Sequence, residues 1–164
     1  MLVRICKIFL IQCIGLFALI VAYNNLVDYQ TNFAFVQHVL SMDTISPSPH
    51  LMDRAITLPY LHHAVYISII LGEFVVALLC LTGSVRLVRK VRAGALEFNK
   101  AKSLAIAGLT NGFILWFFGF MTVGAEWFMM WQSVDWNGQE SAFRFIVCIG
   151  IVLIVVLQDD KPLI

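Results

Sequence analysis

The chain has 164 residues, 60% of them hydrophobic and 13% charged, with a formal net charge of +1. A soluble domain carries about a quarter charged residues, so this composition excludes an ordinary soluble domain, and the length points to a single domain, residues 1–164. So small a net charge gives no nucleic-acid footprint, and the basic residues have another explanation in their placement.

Gaps between charges mark the spans, since a helix needs about 20 apolar residues to cross the hydrocarbon layer. After Arg4 and Lys7 the chain is uncharged from Ile8 to Val27. This predicts a first helix near residues 5–24. It has the basic start and apolar middle of a signal peptide, but no small-x-small site precedes Tyr23, and it reads as a retained helix. The connection 25–59 follows. Within it Phe33, Val36 and Leu40 fall at helical spacing, with Phe35, Val39 and Met42 widening the face. That predicts a surface helix over 32–42. Ser46-Pro47-Ser48-Pro49 then reads as a turn or extended stretch, and Pro59 suits the first turn of the next helix.

The second helix is expected near 60–85, where Glu73 is the lone charge between Arg54 and Arg86. The third is expected near 103–131. The fourth, near 141–158, is short enough that Arg144 must reach up toward the headgroups. The expected fold is therefore all-α: a four-helix transmembrane bundle with a short amphipathic helix in its first outer connection.

Orientation follows from lysine and arginine. Arg4, Lys7, Arg86, Arg89, Lys90, Arg92, Lys100, Lys102 and Lys161 share one side, leaving Arg54 and Arg144 for the other. Both termini are thus expected in the cytoplasm, and connections 25–59 and 132–140 outside. The four cysteines sit in or beside apolar runs, without a disulfide framework or a CxxC motif.

The two faces look unequal. All four tyrosines, all four histidines, and Trp127, Trp131 and Trp136 fall toward the outer end. The outer side reads as a built cap and the inner side as a plain lipid interface marked by positive charge. The candidate outer polar cluster comprises Asn25, Asp28, His38, Asp43, Arg54, His62, His63, Glu126, Trp127, Trp131 and Arg144. Within it Glu126 is expected to pair with Arg144 across the short 132–140 turn. An ionisable residue inside a span is a functional candidate by default, which singles out Glu73. Depth along the helices places Gln12 and Asn111 near it as an intramembrane polar cluster. That cluster reads either as a proton or ion relay or as a structural hydrogen bond fixing helix register. Outer histidines with Met42, Met52, Met129 and Met130 make a copper-like or haem-like set, but no HxxxH or MxxM pattern organises them. No metal or cofactor is expected.

Three stretches resemble a known family. One is Asn24-Asn25-x-x-Asp28-Tyr29-x-x-Asn32-Phe33, running on into Phe35-Val36-x-His38-Val39-Leu40-Ser41-Met42-Asp43-Thr44. Another is Arg54-Ala55-Ile56 with the later His62-His63. The third joins Gly124-x-Glu126-Trp127-Phe128-x-Met130-Trp131-Gln132-Ser133 to Trp136-Asn137-Gly138-Gln139 and Ala142-Phe143-Arg144-Phe145. These are similar to a family of small bacterial integral membrane proteins of unknown function. The resemblance implies four helices and a bacterial inner-membrane location, and it carries over no catalytic residue.

No GxSxG, HExxH, Walker or Gly-rich dinucleotide motif occurs. The favoured reading is a non-enzymatic membrane protein, an accessory subunit or partner of a larger membrane assembly or of itself. The alternative is a carrier or small-ligand-binding protein using Glu73 or an outer pocket. The lipid bilayer is the one partner both readings share.

Overall fold

The computed structural model describes residues 1–46 and 49–162. Pro47 and Ser48, inside the stretch read as a turn, lie outside the described residues. Among the described residues seven α-helices are present, in chain order: α1 Leu2–Val27, α2 Tyr29–Ser41, α3 Pro49–Met52, α4 Pro59–Arg89, α5 Ala95–Ala101, α6 Ser103–Ile114 and α7 Gln139–Leu157. A π-helical segment, Leu115–Trp127, continues α6, and a 3₁₀ turn, Met130–Gln132, precedes α7. Four stretches are long and apolar enough to cross a membrane: Leu2–Val27, Pro59–Arg89, Ala95–Trp127 and Gln139–Leu157.

The spans run longer than the charge gaps suggest. Helix α1 begins three residues earlier than expected and takes Arg4 and Lys7 into its first turns. The third span starts at Ala95 and stops at Trp127, short of residue 131. Its end is set by the backbone. Met129 takes a left-handed conformation, φ 56°, and the Phe128 amide bonds the Val123 carbonyl five residues back. Helix α2 ends the same way at Met42, φ 54°, whose side chain is fully buried. A residue other than glycine adopts this conformation at a cost, and at Met42 burial of a long apolar side chain offsets it.

Helix α4 is central, packing along α1 on one side and α6 on the other, while α7 closes the bundle against α6, the π segment and α1. Contact between α4 and α6 is at backbone range. A β-carbon on Gly83 would stand 2.6 Å from the Ala105 nitrogen, and one on Gly108 would stand 2.8 Å from the Cys80 nitrogen. Lipid is as apolar as any side chain, so membrane helices associate by this close fit. Ile11, Ala18, Val76, Leu109 and Ile149 are wholly buried there. Phe9, Leu71, Leu78 and Ile154 point outward, where hydrocarbon receives them.

Helix α2 buries Phe33, Val36, Val39 and Leu40. This is the face expected from the sequence, but it packs on protein. Tyr66 and Ile70 of α4 and Phe128 and Met130 of the third span's end complete that cluster.

The end that bears the termini is not a plain lipid interface. Lys7 and Lys102 both reach Asp160 Oδ2, at 2.8 and 2.6 Å, with all three side chains at most 4% exposed. Both lysines also donate to the Gln158 carbonyl, at 2.6 and 2.7 Å. Asn99 exchanges two hydrogen bonds with the Asp160 backbone. Arg4 donates to the carbonyls of Val91, Ala93 and Lys161 and stacks 4.6 Å over Phe98. The start of α1, the α4–α5 connection and the tail after α7 are thus fastened together. Three of the basic residues read as orientation signals are buried structural ties.

Candidate functional site

The half of the bundle away from the termini, expected from the sequence to be the outer one, holds a cavity of about 400 Å³. Its mouth is formed by Thr31 and Asn32 of α2 and by Asp135, Trp136 and Asn137 of the last connection. Its walls are aromatic: Phe35, Tyr66, Trp116, Phe120 and Phe145. Its floor carries Asn25 and Glu73.

Glu73 is 2% exposed, and both of its carboxylate oxygens accept from the Asn25 amide, at 3.0 and 2.8 Å. Asn25 Oδ1 in turn accepts from Asn32 Nδ2 at 2.8 Å, and the Asn25 carbonyl accepts from the Tyr66 hydroxyl at 3.1 Å. A polar thread therefore runs from the mouth at Asn32 to the floor at Glu73. The thread exists because α1 breaks at Asp28 and α2 folds back beside the first turns of α4, setting Asn25 and Asn32 on either side of one bend. The Asn25 amide is the one group among the described residues that hydrogen-bonds the Glu73 side chain. Among the described residues no ion pair includes Glu73. No lysine, arginine or histidine lines the cavity, while Asp135 adds a second acidic side chain at its mouth.

The expected cluster of Glu73 with Gln12 and Asn111 does not form. Asn111 is exposed and bonds its own helix at the Ala107 carbonyl. Gln12 lies well below, because α4 projects past the end of α1 and Glu73 is level with Asn25. Asn25 stands about 27 Å along α1 from Lys7. With an apolar layer of about 30 Å, Glu73 sits near the edge of the bundle's apolar zone farther from the termini and not at its middle.

The outer polar cluster separates into independent contacts. Asp28 accepts from Thr31 at 2.9 Å. His38 bonds Asp43 at 3.0 Å and stacks on Trp136. His63 Nδ1 hydrogen-bonds with the Tyr29 hydroxyl at 2.8 Å and its ring stacks on Phe33, and burial pushes the Tyr29 phenol above its ordinary value. His62 is buried, bonds the Ile56 carbonyl through Nε2, and leaves Nδ1 without a partner. Arg54 lies 4.5 Å over Trp127 and donates to its carbonyl. Trp131 is exposed. Glu126 and Arg144 do not pair. Arg144 takes Glu140, one turn earlier on α7, at 2.6 Å with both side chains exposed, and Glu126 is exposed on the π segment. Among the described residues, no three histidine, cysteine, aspartate or glutamate side chains converge as a metal site would require.

Residues 3–159 match the family described as predicted small integral membrane protein, DUF2165. The chain belongs to this family. No curated protein and no solved structure matches it. What the DUF2165 chain adds to its sequence reading is the vestibule. Asn25 had been grouped with the outer charges and is instead the partner of Glu73. Asn32, Tyr66, Trp116 and Phe120 entered no candidate site. The usable signal was Asn25 and Asn32 flanking Asp28, each about one helical turn from the break.

Proposed function

We propose that this protein binds a small organic cation in the outer vestibule, with Glu73 as the counter-charge. The observation that carries the reading is a buried carboxyl group, hydrogen-bonded by the Asn25 amide and paired with no cation among the described residues, on the floor of an aromatic-walled cavity that no basic residue lines. A carboxylate held out of water without a counter-ion is costly. A cation entering the cavity removes that cost, and Trp116, Phe120 and Trp136 are among the aromatic residues that line it. The cavity volume falls in the range of small-ligand sites.

The nine basic residues at the termini-bearing end support a cytoplasmic location for that end by the positive-inside rule, and with it a vestibule that opens to the outside. The chain then works as a membrane-embedded binding or carrier protein. Service as an accessory subunit rests on small size and the lack of catalytic motifs, whereas binding has a site.

The test is titration of purified protein in lipid nanodiscs with tetramethylammonium and ethylammonium, read by tryptophan fluorescence. Saturable quenching is expected for at least one of the two in the native chain, with none in Glu73→Gln. Equal binding by Glu73→Gln, or no saturable signal from either ion, overturns the proposal.

A further inference from the structure

A second cavity, of about 240 Å³, adjoins the vestibule. It lies between α2, the outer half of α4 and the π segment, and its lining is apolar except for Ser68. Phe35, Val36, Ile69 and Phe120 line both cavities, so these four side chains form the partition. Phe35 and Phe120 stack across it with ring centroids 6.2 Å apart. One compartment is acidic and ends in a carboxylate. Its neighbour is a hydrocarbon slot, and two aromatic rings separate them.

We propose that the two cavities are the head and tail halves of one site, and that its ligand is an alkylammonium, an aliphatic chain carrying a single ammonium group. The ammonium stands against Glu73 and the chain passes the Phe35–Phe120 pair into the apolar slot. This rests on the cation reading of the vestibule and names its ligand class. A phospholipid head does not fit as well, because its phosphate would find no lysine, arginine or histidine in either lining. The π-helical backbone contributes to the arrangement. Its i→i−5 bonding makes a wider turn than an α-helix, and Trp116, Phe120 and Gly124 recur every four residues along the inward face. Trp116 lines the vestibule, Gly124 lines the slot, and Phe120 between them lines both.

The test is a chain-length series, ethyl-, butyl-, hexyl- and octylammonium, titrated into the protein in nanodiscs and corrected for each amine's partition into protein-free nanodiscs. Once the chain passes the partition, each buried methylene is expected to tighten binding about fourfold. Ser68→Phe, at an exposed position on the slot, and Val123→Phe, at a half-buried one, are each expected to abolish that gain while leaving ethylammonium affinity unchanged. Affinity independent of chain length, or a length dependence equally steep in both filled variants, overturns the proposal and leaves the cation site standing. No saturable binding of any amine in the series overturns this proposal, and no binding of tetramethylammonium as well overturns both.

Discussion

Asp160→Asn tests how the four spans are held at the termini-bearing end. Asp160 Oδ2 receives Lys7 at 2.8 Å and Lys102 at 2.6 Å, and each of the three side chains is at most 4% exposed. Removing one partner of a buried ion pair costs about 3–5 kcal/mol, because the survivor stays desolvated and uncompensated. Here two cations lose one anion, but each keeps the Gln158 carbonyl and the new amide still offers an oxygen. The lower end, about 3 kcal/mol, is therefore expected. For a chain of this size that lowers the melting temperature by roughly 6–12 °C, measured by thermal unfolding in mild detergent. Lys90→Gln is the control, since its pair with Glu97 is long, 3.6 Å, and half exposed, and should cost less than about 1 kcal/mol. The pH dependence supplies an independent check. Burial works to raise the Asp160 pKa, but hydrogen bonds and charge from Lys102 and Lys7 outweigh it and hold the carboxyl below its ordinary value. A depressed carboxylate contributes stability above its unfolded pKa, about 3.9, and loses it as pH falls through the lower folded value. The gap between native and variant melting temperatures should accordingly be flat near neutrality and close below about pH 4. A variant that melts with the native chain, or a gap no larger than that of Lys90→Gln, refutes the clasp.

Four further substitutions probe other contacts. Gly83→Ala puts a β-carbon 2.6 Å from the Ala105 nitrogen, a backbone atom that cannot swing aside, and should cost about 1–3 kcal/mol in the same melt. Arg54→Ala removes the stack on Trp127 and should cost about 0.5–1 kcal/mol, with a change in tryptophan emission. Glu126→Gln and Arg144→Gln should each cost less than about 1 kcal/mol and add in the double variant, because Arg144 pairs with Glu140; a coupling between them would restore the pair expected from the sequence.

The four spans were legible because charge is costly in hydrocarbon, so gaps between charged residues report the layer directly. Helix α2 was legible because its apolar face had to be covered, whatever covered it. What covered it was not, since periodicity names a face and not its neighbour, and the choice between lipid and Tyr66 depends on how far α4 projects past α1. The same projection defeated the depth comparison of Glu73 with Gln12. Counting from helix ends assumes that the ends are level, and Pro59 starts α4 beside α2, above the end of α1. The clasp was missed for a different reason. Arg4, Lys7 and Lys102 already had a sufficient explanation in the orientation rule, and the two carboxylates that follow α7 were left without a role. The π segment had no sequence signal at all. Leu115–Trp127 is apolar on every side up to Thr122, so no stripe reveals its pitch.

The two halves of α4 are held by different means, and this predicts different mobility. From Val76 to Leu87 it lies against α1 and α6 at distances where a single methyl on Gly83 or Gly108 would meet backbone. From Tyr66 to Glu73 it faces α2, stacked rings and the two cavities. Across from the outer half stands the π segment, whose bonds reach five residues back and which is uncommon beyond a single turn. Close packing is what holds membrane helices together, so the inner half carries the cohesion of the bundle and leaves the outer half with fewer constraints. Amide hydrogen exchange in nanodiscs reads this difference, because local opening follows sparse packing. Amides from Phe117 to Glu126 are expected to exchange faster than those from Val76 to Leu87, although both stretches lie within apolar spans. Equal protection would mean that the π segment is as firmly held as the glycine-packed base, and that the partition at Phe120 cannot part to join the two cavities.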